Sequence, residues 1–284
     1  MATIYNQATL TYNGVSTTSN IATGELVEML NAAKTATRST YNDTESVTYV
    51  ISLVNTSDTA YTGLTITDNL GAYNFGARVL IPLDYIGGSA KYYVNGTLQG
   101  TVTVTEGPPL VFSGISVPAG GNAVIVYEAR PNSYAPLGVE SNIRNEAVIS
   151  GNGVAADITV SETVAPATGA RLRILKEITP SMITEGSPVT YTFTIQNLGN
   201  VPVTTTDSAV IRDTFEPILN ITAVSFNGTT WTSPANYTYD TTTGLFTTVD
   251  NQITVPAATY VQDPTTGAYS ITPGVSTLTV TGTL

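Results

Sequence analysis

The chain has three lysines, Lys34, Lys91 and Lys176, while its Lys and Arg together number 10, so arginine is otherwise preferred. Lys34 and Lys176 head matching stretches, "KTATRSTYNDTESVTYVISLVN" and "KEITPSMITEGSPVTYTFTIQN", and each precedes a tyrosine, Tyr49 or Tyr191, by 15 residues. Each repeat then ends an apolar run on an aspartate, Asp68 in "GLTITDNL" and Asp213 in "SAVIRDTF". Two asparagines complete the set: Asn145 in "NEAV" and Asn6 in "NQAT".

A lysine, an acid and an asparagine that meet in an apolar core can form an amide between side chains. Burial lowers the lysine pKa and raises the aspartate's, so the pair can sit as neutral amine and neutral acid. The amine is then a nucleophile. The protonated acid polarises the asparagine carbonyl and relays protons while ammonia leaves. Folding holds the groups in contact, so no further catalyst is required. The reaction runs once per site, which is self-processing and not turnover. A single Lys–Asp pair on a sheet would read as an exposed ion pair of little worth, and a lone Asn as a turn residue. The duplication, the Lys-Asp-Asn order and the scarcity of lysine favour the amide. The expected bonds are Lys34–Asn145 assisted by Asp68, and Lys176–Asn6 assisted by Asp213.

Strands must position these groups. In "VTYVISLV" Val47, Tyr49, Ile51 and Leu53 alternate with other residues, as do Val189, Tyr191, Phe193 and Ile195 in "VTYTFTI". A period of two marks half-buried strands of a sandwich. "YVNGTL" and "SFNGTTW" carry Asn-Gly turns between such runs, the pattern of a hairpin. "GELVEMLNAAK" has the spacing of a short amphipathic helix, but its β-rich surroundings argue against one. The repeats continue with "ISVPAG" matching "ITVPAA". The sequence therefore predicts an all-β chain with two β-sandwiches in tandem.

The copies end differently. After "AVIVYEA" the first runs into "NIRNEAVISGNGVAADITVSETV", whereas the second reaches "STLTVTGTL" at the end of the sequence. The opening stretch "TIYNQATLTYNGV" matches that closing segment at a constant offset of 139: Ile4 falls on Ile143, Asn6 on Asn145, Ala8 on Ala147 and Asn13-Gly14-Val15 on Asn152-Gly153-Val154. The expected division is a donor strand and connector at 1–24, a complete sandwich at 25–165, and at 166–284 a sandwich lacking its last strand. Ile4, Asn6, Ala8 and Leu10 would complete that second sandwich in a neighbouring copy. Such a head-to-tail contact does not close on itself and produces filaments.

Composition narrows the function classes. With no Cys and no His, the chain offers no disulfide, no thiolate metal site and no Ser-His-Asp triad. A net charge of −11 disfavours nucleic acid and anionic membranes as partners. No apolar run is long enough to span a bilayer. The opening residues do not pattern as a secretory signal, which leads to the expectation of a mature form or of release by another route, with a slight lean to a spore appendage. Asp43, Glu45, Asp58, Asp240 and Asp250 lack calcium-loop spacing, and no cofactor or metal is expected.

"GSPVTYTFTIQNLGNVPVTTT" followed by "IRDTFEP" resembles the conserved repeat of bacterial surface proteins known as domain of unknown function eleven. The matching positions are Gly186, Tyr191, Asn197, Gly199, Asp213 and Pro217, and "NEAV" and "NQAT" resemble the repeat's final element. The first copy departs from it, with "NTSD" for the Asn-x-Gly turn and "TDNLG" for the Asp-Thr segment. The resemblance implies immunoglobulin-like sandwiches with a structural or adhesive role outside a bacterial cell. It is similar in logic to pilin and adhesin domains that carry Lys–Asn isopeptide bonds. The expected function is thus a self-assembling filament subunit whose partner is itself. The alternative is a surface module that adheres to a ligand or to carbohydrate, with Tyr92, Tyr93, Trp231, Tyr237 and Tyr239 as stacking rings.

Overall fold

The computed structural model describes residues 2–26, 29–100, 102–184 and 186–284, and among these every regular element is a β-strand. The chain forms two compact units. One takes the chain up to Asn132 together with Ile143–Val164, and the other takes Ser133–Asn142 and Ala165–Leu284.

The first unit is built on two large antiparallel sheets, beside several two-stranded ones. One runs in the order Thr97–Leu98, Lys91–Val94, Asn122–Pro131, Val47–Asn55, Leu30–Ala36. The other runs Thr103–Thr105, Leu110–Val117, Tyr61–Asp68, Ile143–Ser150, Ile158–Pro166, Thr40–Tyr41. Alternation does the sorting: Val47, Tyr49, Ile51 and Leu53 are buried, as are Ile125 and Tyr127 on the neighbouring strand. Leu64, Ile66, Phe112 and Ile149 supply the other half of the core from the second sheet. This is the sandwich expected from the period of two.

The second unit repeats the first sheet as Leu172–Thr179, Pro188–Asn197, Gly274–Thr283, Asn220–Phe226, Thr229–Trp231. Register makes the match explicit. Lys34 lies opposite Ile51 and Lys176 opposite Phe193, two residues beyond Tyr49 and Tyr191 in turn. A second sheet is short, with Arg212–Thr214, Leu245–Thr248 and Tyr237–Asp240, and Thr259–Gln262 pairs with Tyr269–Thr272 as a separate ribbon. The segment matched to "ISVPAG" is not a strand here, although Ile253 and Val255 are buried and Val255 makes a bridge to Val203.

Asn197 explains the Asn-x-Gly motif. Its Oδ1 accepts the N–H groups of Gly199 (2.9 Å) and Arg171 (3.0 Å), and its Nδ2 donates to the Val201 carbonyl (2.8 Å). A Cβ on Gly199 would stand 2.1 Å from the Gly169 carbonyl, so only glycine fits. Asn55 does the same work in the first unit without the glycine, accepting from Ser57 N–H and donating to Thr59 and Pro118 carbonyls.

The N-terminal segment, expected as a single strand, folds as a hairpin. Ala2–Asn6 pairs with Ala22–Leu26, and Thr9–Tyr12 pairs with Val15–Thr18 across the Asn13-Gly14 turn. Both turn residues have positive φ, 49° and 77°, as a two-residue hairpin turn of the mirrored kind requires. The described parts of the stretch with helical spacing are strands, Ala22–Leu26 and Leu30–Ala36; Val27 and Glu28 lie outside the described residues.

Candidate functional site

In the first unit the predicted trio meets in one buried cluster. Lys34 reaches the site from an edge strand of one sheet, while Asp68 and Asn145 come from paired strands of the other. The Lys34 Nζ donates to Asp68 Oδ2 at 2.5 Å, and both side chains have 0% exposure. Asp68 Oδ1 accepts the Leu70 N–H at 2.9 Å. Asn145 is buried beside them, and its Oδ1 accepts the Gly71 N–H at 3.2 Å.

One residue that sequence reasoning missed joins the two halves. Tyr127 donates its hydroxyl hydrogen to Asp68 Oδ2 (2.6 Å) and accepts from Asn145 Nδ2 (3.0 Å). Its ring stacks on Tyr49 at 5.5 Å between centroids and tilts against Phe112 at 5.3 Å, so the hydroxyl is held in place. The Lys34 ammonium position lies 5.1 Å from the Tyr49 ring centre. Tyr127 sits in the alternating run "AVIVYEA", where a large inward side chain is expected and nothing flags its hydroxyl.

The electrostatics suit amine chemistry. Burial pushes the Lys34 pKa below its ordinary value of 10.5, against the opposing pull of the Asp68 carboxylate. Burial also drives the Tyr127 phenol well upward, with Asp68 adding to the shift, so Tyr127 keeps its proton. The downward shift favours the amine form of Lys34, and the Asn145 carbonyl in the same cluster already takes a backbone N–H, two features that acyl transfer uses.

The second unit holds half of the same site. Lys176 Nζ lies 2.5 Å from Asp213 Oδ2 and sits over the rings of Tyr191 (4.8 Å), Phe193 (5.4 Å) and Phe215 (5.3 Å). Here the pair is open, with Lys176 39% and Asp213 19% exposed. The Asp213 strand, Arg212–Thr214, pairs with Leu245–Thr248 on one side, and among the described residues no strand pairs with its other side. In the first unit that side of the Asp68 strand is taken by Ile143–Ser150. Leu172 is 47% exposed where its counterpart Leu30 is 3% exposed.

Asn6 is not among the described partners of Lys176 or Asp213; it pairs with Ala22 in the N-terminal hairpin. The inward positions of the Asn145 strand, Ile143, Asn145, Ala147 and Ile149, are all buried. Their counterparts Ile4, Asn6, Ala8 and Leu10 are all exposed, Ile4 at 55% and Leu10 at 67%. The rings considered for ligand stacking are mostly engaged in packing. Trp231 is buried against Phe226, Tyr237 stacks on Phe246, and the hydroxyls of Tyr239 and Tyr92 bond to the Leu219 and Ser116 carbonyls.

No family model and no curated protein matches the chain, so the resemblance to the conserved surface repeat rests on its motif residues. Among solved structures, the chain is similar to the major pilin subunit BcpA of Bacillus cereus, with 14% identity, a TM-score of 0.38, and coverage of 96% of this chain and 73% of that one. A C-terminal fragment of the major pilin GBS80 of Streptococcus agalactiae matches with 12% identity and a TM-score of 0.37, covering 87% of this chain and 91% of that one. The collagen-binding domain of a Staphylococcus aureus adhesin matches with 11% identity and a TM-score of 0.31, covering 50% of this chain and 99% of that one.

Proposed function

We propose that the chain is a structural subunit of an extracellular bacterial filament, on a cell or spore surface, that polymerises head to tail. The N-terminal hairpin of one subunit docks beside the Asp213 strand of the next. The observation that carries this reading is the unpaired side of that strand, set against an exposed hairpin whose sequence repeats the strand found at the same place in the first unit. An unpaired strand and an exposed apolar row are costly in water, and each supplies what the other lacks. The first unit sets the register: Ala147 faces Asp68 and Ile149 faces Ile66, so Ala8 would face Asp213 and Leu10 would face Ile211.

Docking would bury the Lys176–Asp213 pair and bring Asn6 to it, as Asn145 is brought to Lys34. The Lys176 amine then attacks the Asn6 side-chain carbonyl, Asp213 relays the protons, and ammonia leaves. Lys34 and Asn145, with Asp68, form the internal counterpart. The chemistry is a single event per site and no enzyme turnover is involved. Filament strength would then be set by covalent bonds and not by a docking equilibrium.

The test is a denaturing gel of the boiled protein read beside intact mass. A ladder of multimers, each step one ammonia lighter than the sum of its parts, is expected, and it should vanish in Lys176→Ala and in Asn6→Ala. Monomer alone, with no ammonia lost, would contradict the covalent reading.

A further inference from the structure

The two sites differ in one residue that the shared Lys-Asp-Asn set does not include. Tyr127 faces Tyr49 across the sheet, and Val280 faces Tyr191 at the same register position of the second unit. Val280 is fully buried there, so the second site has no hydroxyl at that place. Resting on the covalent reading above, we propose that Tyr127 is a catalytic residue of the Lys34–Asn145 bond, carrying a proton from Asp68 to the departing ammonia. The intersubunit site, with Val280, forms its bond without this carrier and therefore more slowly.

The geometry requires a carrier. Asp68 hydrogen-bonds to Lys34, to Tyr127 and to the Leu70 N–H, while the Asn145 amide bonds to Tyr127 and to the Gly71 N–H. Among the described hydrogen bonds, the acid touches the nucleophile and is joined to the leaving nitrogen through the Tyr127 hydroxyl. Tyr127 already donates toward the acid and accepts from that nitrogen, so one turn of the hydroxyl reverses the direction of the chain. The ring, packed between Tyr49 and Phe112, has no need to move.

The step balances as follows. The neutral Lys34 amine adds to Asn145 Cγ, forming the new C–N bond and placing negative charge on Oδ1, where the Gly71 N–H receives it. Tyr127 gives its O–H proton to Nδ2 and takes one from Asp68, which holds the proton that the Lys34 ammonium gave up to become the attacking amine. The C–Nδ2 bond breaks and ammonia leaves. The excess proton on the new amide nitrogen passes to the Asp68 carboxylate. Amine and carboxamide become amide and ammonia, with Asp68 and Tyr127 returned to their starting states.

The turn after the aspartate differs as well. Asp68 is followed by Asn69, Leu70 and Gly71, the last at φ 75°, whereas Asp213 is followed by Thr214, Phe215 and Glu216. The consequence is an order of events: the first unit locks as it folds, and the slower bond waits for a neighbour. A subunit would thus reach the filament already internally bonded.

The experiment follows ammonia loss by intact mass after refolding, in an Asn6→Ala background where only the internal bond can form. Tyr127→Phe should slow that loss by about 100-fold or more, the usual scale for removing a general acid. A second pair in the same Asn6→Ala background, Lys34→Met with and without Tyr127→Phe, can form neither bond; their melting temperatures should lie within a few degrees of each other. Val280→Tyr should speed the appearance of covalent multimers in an otherwise unaltered chain. Bond formation by Tyr127→Phe at the parent rate would overturn the proposal, as would a collapse of its fold in the Lys34→Met pair. Absence of ammonia loss in the Asn6→Ala parent itself would instead remove the covalent reading on which the proposal rests.

Discussion

Replacing Asp68 with asparagine keeps the size and shape of a wholly buried side chain and removes its acid. Lys34 then keeps a neighbour at the same place, and Leu70 N–H keeps an acceptor, but no group can take the proton from the attacking amine. The internal bond should fail to form, and the loss of stability should be that of the missing cross-link. A Lys34–Asn145 bond closes a loop of 145 − 34 = 111 residues. Constraining a loop of that length in the unfolded chain is worth about 5 kcal/mol. For a domain near 150 residues each kcal/mol moves the melting temperature by roughly 2–4 °C, so a drop of roughly 10–20 °C is expected. Scanning calorimetry beside intact mass is the assay. In an Asn6→Ala background, where only this bond can form, the parent should be lighter by one ammonia than its sequence predicts, and Asp68→Asn should carry its full mass. If Asp68→Asn loses ammonia like the parent, Asp68 is not the proton acceptor. If both carry full mass and melt alike, the internal bond does not exist.

Other consequences can be checked with the same material. In Asn145→Ala, where Lys34 stays free, the folded Lys34 pKa lies below 10.5, so between those two values the unfolded chain binds a proton that the folded chain does not. Stability contributed by this group should therefore rise with pH across that window and level off above 10.5, and urea titrations should follow that course. Gly71→Ala should slow internal bond formation, because its Cβ would stand 2.5 Å from Ile143 Cγ2 and φ there is 75°; refolding followed by mass would read it. Leu10→Asp should suppress multimer formation while leaving first-unit melting unchanged, since Leu10 is 67% exposed in the single chain and inward-facing only in the proposed joint. A synthetic peptide of residues 2–26 should become bonded to Lys176 and cap growth, which tandem mass spectrometry would locate.

Much of the site was legible because duplication exposed it. The 15-residue spacing from lysine to tyrosine recurs, and it placed Lys34 and Lys176 at one register position in both units. Asp68 and Asn145 could be named because each ends or opens a recognisable strand. Tyr127 could not, since any large apolar residue satisfies its place in the alternation and its hydroxyl gains meaning only from strands distant in sequence. The hairpin form of the N-terminal segment was written in Asn13-Gly14, but the returning strand lacks a clear period of two. The second unit's broken short sheet also escaped the sequence, because "ITVPAA" keeps its inward residues while the ladder around it reduces to the Val203–Val255 bridge.

The most direct measurement of the central claim mixes two variants that are each unable to grow. Asn6→Ala keeps a working Lys176 but no reactive donor, and Lys176→Ala keeps a working Asn6 but no nucleophile. Each alone, boiled and run on a denaturing gel, should give monomer. Mixed, they should give a covalent dimer and nothing larger, because the joined pair has neither a live donor nor a live acceptor left. A mixture that stays monomeric, or a single variant that forms the ladder unaided, would contradict covalent assembly through Asn6 and Lys176.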